Sequence, residues 1–99
     1  MGVEQSMRTV DRAVEESIGK RQQYRNDDSG RSQRRTYEKS LEAVDDLAGE
    51  AAAQRLASWI AETIREKEKL PPSRRVRKKG AEICRDAGYS VSTNDWLGS

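Results

Sequence analysis

Residues 48–69, "AGEAAAQRLASWIAETIREKEK", decide the fold class. Alanine, glutamate, glutamine, arginine and lysine dominate the segment, and these side chains lose least on entering a helix. Ala51, Ala52, Leu56, Trp59, Ile60 and Ile64 fall on one stripe at helical spacing. The stripe runs backward through Ala48, Leu47, Val44, Leu41 and Tyr37. A single helix over 36–69 would be about 50 Å long at about 1.5 Å per residue, too long for a compact domain unless it forms a coiled coil. Gly49 is the natural break, so the pattern predicts two helices, 36–48 and 50–69, with the continuous helix as the alternative. Glu62–Arg65 and Glu66–Lys69 stand at i,i+3 with opposite charge, worth about 0.2–0.5 kcal/mol each.

Working outward, Pro71-Pro72 ends this region, and Leu70 before a proline is pushed out of the helical range. Ser73 is then the expected N-cap of a helix over 74–87. Val76, Gly80, Ile83, Cys84 and Ala87 share its inner face, and Gly88 is suited to the left-handed residue that follows a helix. Tyr89 can fold back there. Toward the N-terminus, Val3, Met7, Val10, Val14 and Ile18 are spaced 4, 3, 4 and 4, which only a helix places on one stripe. That gives a first helix over 3–18, with Gly19 as its stop. Between lies "KRQQYRNDDSGRSQRR", residues 20–35, with one apolar residue, Tyr24, and a breaker cluster at 26–30. It reads as a basic connector. The expectation is an all-α protein: a small four-helix domain over 1–99, a basic connector between helices 1 and 2, and a basic C-terminal helix with a short tail over 73–99. The tail is expected to pack through Tyr89, Val91, Trp96 and Leu97.

Composition limits the core. The chain has 36% charged and 33% hydrophobic residues, and its mean hydropathy is −1.03. Val, Ile and Leu number six, four and five, and Phe is absent. That is about 15% strong core formers, below the roughly 20% at which disorder enters consideration. Net charge, at +2, is small for a disordered chain. The reading is a globule with a thin core, which a second copy could complete. The heptad-like spacing of helix 1 favours a homodimer.

Several chemistries drop out. There is no histidine, which removes histidine acid–base catalysis, histidine triads and histidine-ligated metals. The single cysteine, Cys84, lies on an apolar face and reads as core; alone it makes no intrachain disulfide. Asp27-Asp28 and Asp45-Asp46 are too isolated for a metal site, and no glycine loop is built to cradle phosphate. No cofactor, metal or small-molecule substrate is expected, and neither is enzymatic activity. No apolar run approaches the roughly 20 residues of a membrane span, and the start lacks the apolar stretch of a signal peptide, so the expected compartment is the cytoplasm. Met1-Gly2 with Ser6 fits the short myristoylation template, a pattern that occurs often by chance.

The most lopsided stretch is "PPSRRVRKKG", residues 71–80, with five cations within 74–79. On a helical wheel Arg74, Lys78 and Arg85 lie near the pole opposite Val76, Arg75 lies between, and Arg77 and Lys79 flank the apolar stripe. Residues 20–35 carry six basic and two acidic residues, and 71–99 six and three. Clustered Arg and Lys neutralise backbone phosphates, and a helix's first turn offers free N–H groups beside them. The alternative is a solvated helix face, and the cations oppose the helix dipole there. A helix-turn-helix over 83–97 fits less well, because Asn94 stands where an apolar residue is needed. The expected function is a small non-enzymatic protein that binds DNA or RNA. Arg74, Arg75, Lys78 and Arg85 would contact phosphates, assisted by Arg31, Arg34 and Arg35. The alternative is a helical module that docks on another protein.

Overall fold

A computed structural model describes residues 3–17 and 28–89. The described chain is all-α: α1 (Glu4–Ser17), α2 (Asp28–Ala48), α3 (Glu50–Lys67) and α4 (Ser73–Asp86). Side-chain pairs give the directions. Ser6 meets Gln54 and Glu16 meets Arg65, so α1 and α3 run the same way. Arg55 meets Asp86, so α4 returns along α3. Asp11 meets Arg34, which ties α1 to α2.

Gly49 alone separates α2 from α3. Its N–H donates to the Asp45 carbonyl at 2.9 Å and closes α2, while its own carbonyl accepts from Ala53 N–H at 3.1 Å and opens α3. The backbone there has φ 100° and ψ 172°, a region essentially reserved for glycine. The two-helix reading of 36–69 is therefore the right one. α3 ends at Glu68, which takes the left-handed conformation (φ 55°) and donates its N–H to Ile64 at 2.7 Å.

α3 is the central element. Ala52, Ala53, Leu56, Ala57, Ile60, Ala61 and Ile64 are all buried, on a face broad enough to receive the other three helices. α1 brings Met7, Val10, Ala13 and Val14; α2 brings Tyr37, Leu41 and Val44; α4 brings Val76, Ile83 and Cys84. The described part of the α1 stripe, Val3, Met7, Val10 and Val14, is thus buried inside one chain rather than left for a second copy. Trp59 is half-buried against this core. No described helix is long and apolar enough to cross a membrane.

Several expectations need correction. The basic connector over 20–35 is shorter: α2 begins at Asp28, so 28–35 is helical. Apolar periodicity is missing there because Gln33 and Arg34 are held by polar partners, Pro71 and Asp11, rather than by the core. Ser73 is the first residue of α4 and not its N-cap. Pro72 takes that place (φ −62°, ψ 147°), since its ring already fixes the φ an entry residue needs. Ala87 is exposed, because α4 stops at Asp86. Gly88 (φ 99°) then donates its N–H to Arg85 and Tyr89 donates to Cys84, both at 3.0 Å, closing the helix in a Schellman turn. Leu47 and Tyr89 do not pack inward; they are 37% and 42% exposed. Ile18, Tyr24, Val91, Trp96 and Leu97 lie outside the described residues.

One buried group is unsatisfied. The Ser40 hydroxyl, on the inner face of α2, is fully buried without a hydrogen-bond partner. Ser40→Ala removes a desolvated polar atom and is expected to raise stability by about 1 kcal/mol. Gly49→Ala forces a Cβ into a backbone region it disfavours and is expected to cost about 1–3 kcal/mol. Urea unfolding monitored by circular dichroism measures both; an unchanged midpoint refutes either expectation.

Candidate nucleic-acid interface

The cationic face of α4 depends on how that helix starts. Pro72 is extended, and as a proline it leaves no N–H to return toward α3. Two side chains from α2 hold the Pro71 carbonyl instead: the Tyr37 hydroxyl donates at 2.5 Å and Gln33 Nε2 at 2.8 Å. Tyr37 is fully buried. The Pro72 carbonyl then accepts from Arg75 N–H at 3.0 Å and Val76 N–H at 3.2 Å, forming the first turn. No side chain caps this turn and no acidic residue lies in it.

On this base Arg74, Arg75, Lys78 and Arg85 are all exposed. Arg74, Lys78 and Arg85 lie within about 40° of one another at about 100° per residue, so they form one row along the helix. Arg77 and Lys79 are half-buried, and Lys79 Nζ stands 3.7 Å from Glu82. Asp86, at the far end, meets Arg55 of α3 at 3.9 Å. Acidic partners therefore serve the C-terminal half of α4, and the positive charge concentrates toward its N-terminal half.

The assisting residues separate. Arg34 is a strut between α1 and α2: its Nε and Nη2 reach the two Asp11 carboxylate oxygens at 3.3 and 3.0 Å. Arg35 is exposed on the same turn of α2. Arg31 lies on α2, and its side chain is outside the described residues. The hydrogen bonds to Pro71 bring this end of α2 to the start of α4, but Arg35 lies about 200° round the helix from Gln33 at about 100° per residue, away from that contact. Sequence reading missed Lys67 and Lys69, exposed where α3 hands over to α4. Alternation with Glu66 and Glu68 hid them, although a net count over 65–79 would have shown the excess. Arg65, expected to pair with Glu62, is instead drawn to Glu16 of α1 at 3.0 Å.

Other reactive groups are structural. Burial pushes the Cys84 thiol above its ordinary range, with neighbouring Arg85 pulling the other way. A buried, protonated thiol is a poor nucleophile. Ser6, Gln54 and Thr9 hydrogen-bond in sequence between α1 and α3, at 3.0 and 3.3 Å, beside a shallow open groove. The second helix of a helix-turn-helix would fall within 90–99, outside the described residues. No protein-family model matches the chain, and neither a curated protein nor a solved structure is significantly similar to it.

Burial also raises the Tyr37 hydroxyl well above its ordinary value, with a hydrogen bond from Gln33 offsetting part of the effect. The unfolded chain then releases this proton first, near pH 10, while the folded chain keeps it. The contribution is full below about pH 10 and is lost as pH rises beyond it; Cys84 acts in the same sense from about pH 8.5. Tyr37→Phe is expected to cost about 1 kcal/mol at neutral pH and to flatten the fall in stability above about pH 10. Urea midpoints between pH 7 and 11 test this. An alkaline limb as steep in the variant as in the parent would show that Tyr37 ionisation plays no part.

Proposed function

We propose that this is a small, non-enzymatic, cytoplasmic protein that binds nucleic acid through the phosphate backbone, with α4 as the contacting element. The observation that carries the reading is the row of exposed cations at an uncapped, acid-free helix start. Arginine grips phosphate with two parallel N–H donors, and the first-turn N–H groups add a partial positive charge at the same place. Lys67 and Lys69, just before it in the chain, widen the field. Binding of this kind is tolerant of sequence and sensitive to salt. The binding unit in this reading is one chain, since the described residues of the apolar stripe that argued for a homodimer are buried within it. The alternative, a docking module for a helical protein partner, has less to stand on: among the described residues only Leu47 and Tyr89 are large, apolar and exposed.

The test is a charge reversal, Arg74→Glu/Arg75→Glu/Lys78→Glu. These side chains are exposed, and acidic residues near a helix start favour the dipole, so the variant is expected to keep its melting temperature or raise it. Labelled duplex DNA and single-stranded RNA are titrated at several salt concentrations. Three phosphate contacts give a slope of about −2 to −3 in log K against log salt, and the variant is expected to lose it. No binding by the parent protein at low salt, or equal binding by the variant, overturns the proposal.

A further inference from the structure

Tyr89 is large, aromatic and exposed, yet its backbone is fixed. The Schellman turn holds its N–H on the Cys84 carbonyl at 3.0 Å, with Gly88 at φ 99° supplying the reversal. A C-terminal residue of this motif commonly packs back on the helix; Tyr89 is 42% exposed instead. It follows the end of α4, four residues after the exposed Arg85. Along the axis, Arg74 to Lys78 spans about 6 Å and Lys78 to Arg85 about 10 Å, at about 1.5 Å per residue. The C-terminal end of α4 thus carries an exposed cation, Arg85, and an exposed ring within four residues of chain.

That combination selects a ligand. A track of cations follows a phosphate backbone of any strandedness. An aromatic face adds affinity only for a base that is free to leave its neighbours, because paired bases are already stacked and their faces covered. We propose that Tyr89 is a stacking contact for an unpaired base, and that the preferred ligand of the α4 face is single-stranded nucleic acid rather than a duplex. This inference rests on the proposed phosphate-binding role of α4 and adds the class of strand to it.

The experiment compares three probes of equal length at one low salt concentration: an oligothymidine strand, the same strand with abasic sites, and a duplex. The parent protein is expected to bind oligothymidine about tenfold more tightly than the abasic strand. Tyr89→Ala is expected to lose that difference while its binding to the duplex and the abasic strand stays unchanged; Tyr89→Phe, which keeps the ring, is expected to retain it. Thermal unfolding confirms that each variant is folded. If the parent protein does not distinguish thymidine from abasic strands, or Tyr89→Ala distinguishes them as well as the parent does, the stacking role is refuted. Binding that still disappears in the Arg74→Glu/Arg75→Glu/Lys78→Glu variant would leave the phosphate-binding role standing. Absence of binding to all three probes removes both.

Discussion

The Pro71 carbonyl is the point on which the arrangement turns. It belongs to a buried residue in a short segment outside every helix, and the next residue has no N–H to offer. A buried carbonyl without a donor costs about 1–3 kcal/mol, and a buried phenol without an acceptor costs about as much. Tyr37 and Pro71 satisfy each other, with Gln33 as a second donor. Neither need can be met within α2 or within the turn after α3. The two polar requirements therefore dock α2 on the entry to α4, and the direction of the cationic row follows from that docking.

The rest of the bundle shows how a chain with few large apolar residues closes a core. Ala52, Ala53, Ala57 and Ala61 of α3 are buried, as are Ala13 of α1 and Gly80 and Ala81 of α4. Small residues at helix contacts let axes approach toward the short end of the usual 8–10 Å. Less volume then has to be filled, and Leu41, Leu56, Ile60, Ile64 and Tyr37 are enough to fill it. Low apolar content led the composition to suggest a missing partner. Close helix packing supplies the remedy inside one chain, which composition alone does not reveal.

Where the sequence was readable, a local constraint acted alone. Gly49 and Gly88 mark helix ends because their positive φ values suit almost no other residue, and Pro72 marks the start of α4; α3 stops earlier than the prolines suggest, at Lys67, because Glu68 turns left-handed. The phases of α1 and α4 followed from apolar spacing, and with them the exposure of Arg74, Arg75, Lys78 and Arg85. Where long-range contacts decided, reading failed. Gly30 argued against helix at the start of α2, yet that segment is held by Arg34 on Asp11 and Gln33 on Pro71, partners 23 and 38 residues away. The partner of Arg34 was hidden for the same reason: its charge is visible in the sequence, but Asp11 is not visible beside it. Leu47 shares its spacing with buried residues and is left outside because the helix ends at Gly49.

The electrostatics of α4 separate two explanations of its charge. If the cations served only to keep the protein in solution, the C-terminal half would be the favourable place for them, because lysine and arginine stabilise a helix there. Only Arg85 stands in the last turn. Glu82 and Asp86 attend the C-terminal half through Lys79 and Arg55, while Arg74 and Arg75 stand in a first turn that holds no acidic residue. Each misplaced charge costs about 0.3–1 kcal/mol. A phosphate seated at that turn would reverse the sign, because the anion is attracted to both the guanidinium groups and the exposed N–H groups. On the proposed reading, the strain α4 carries when free is the interaction a ligand satisfies. Binding and the stability of this helix are then coupled, and ligand bound to the folded chain alone raises its stability in proportion to RT ln(1 + [L]/Kd).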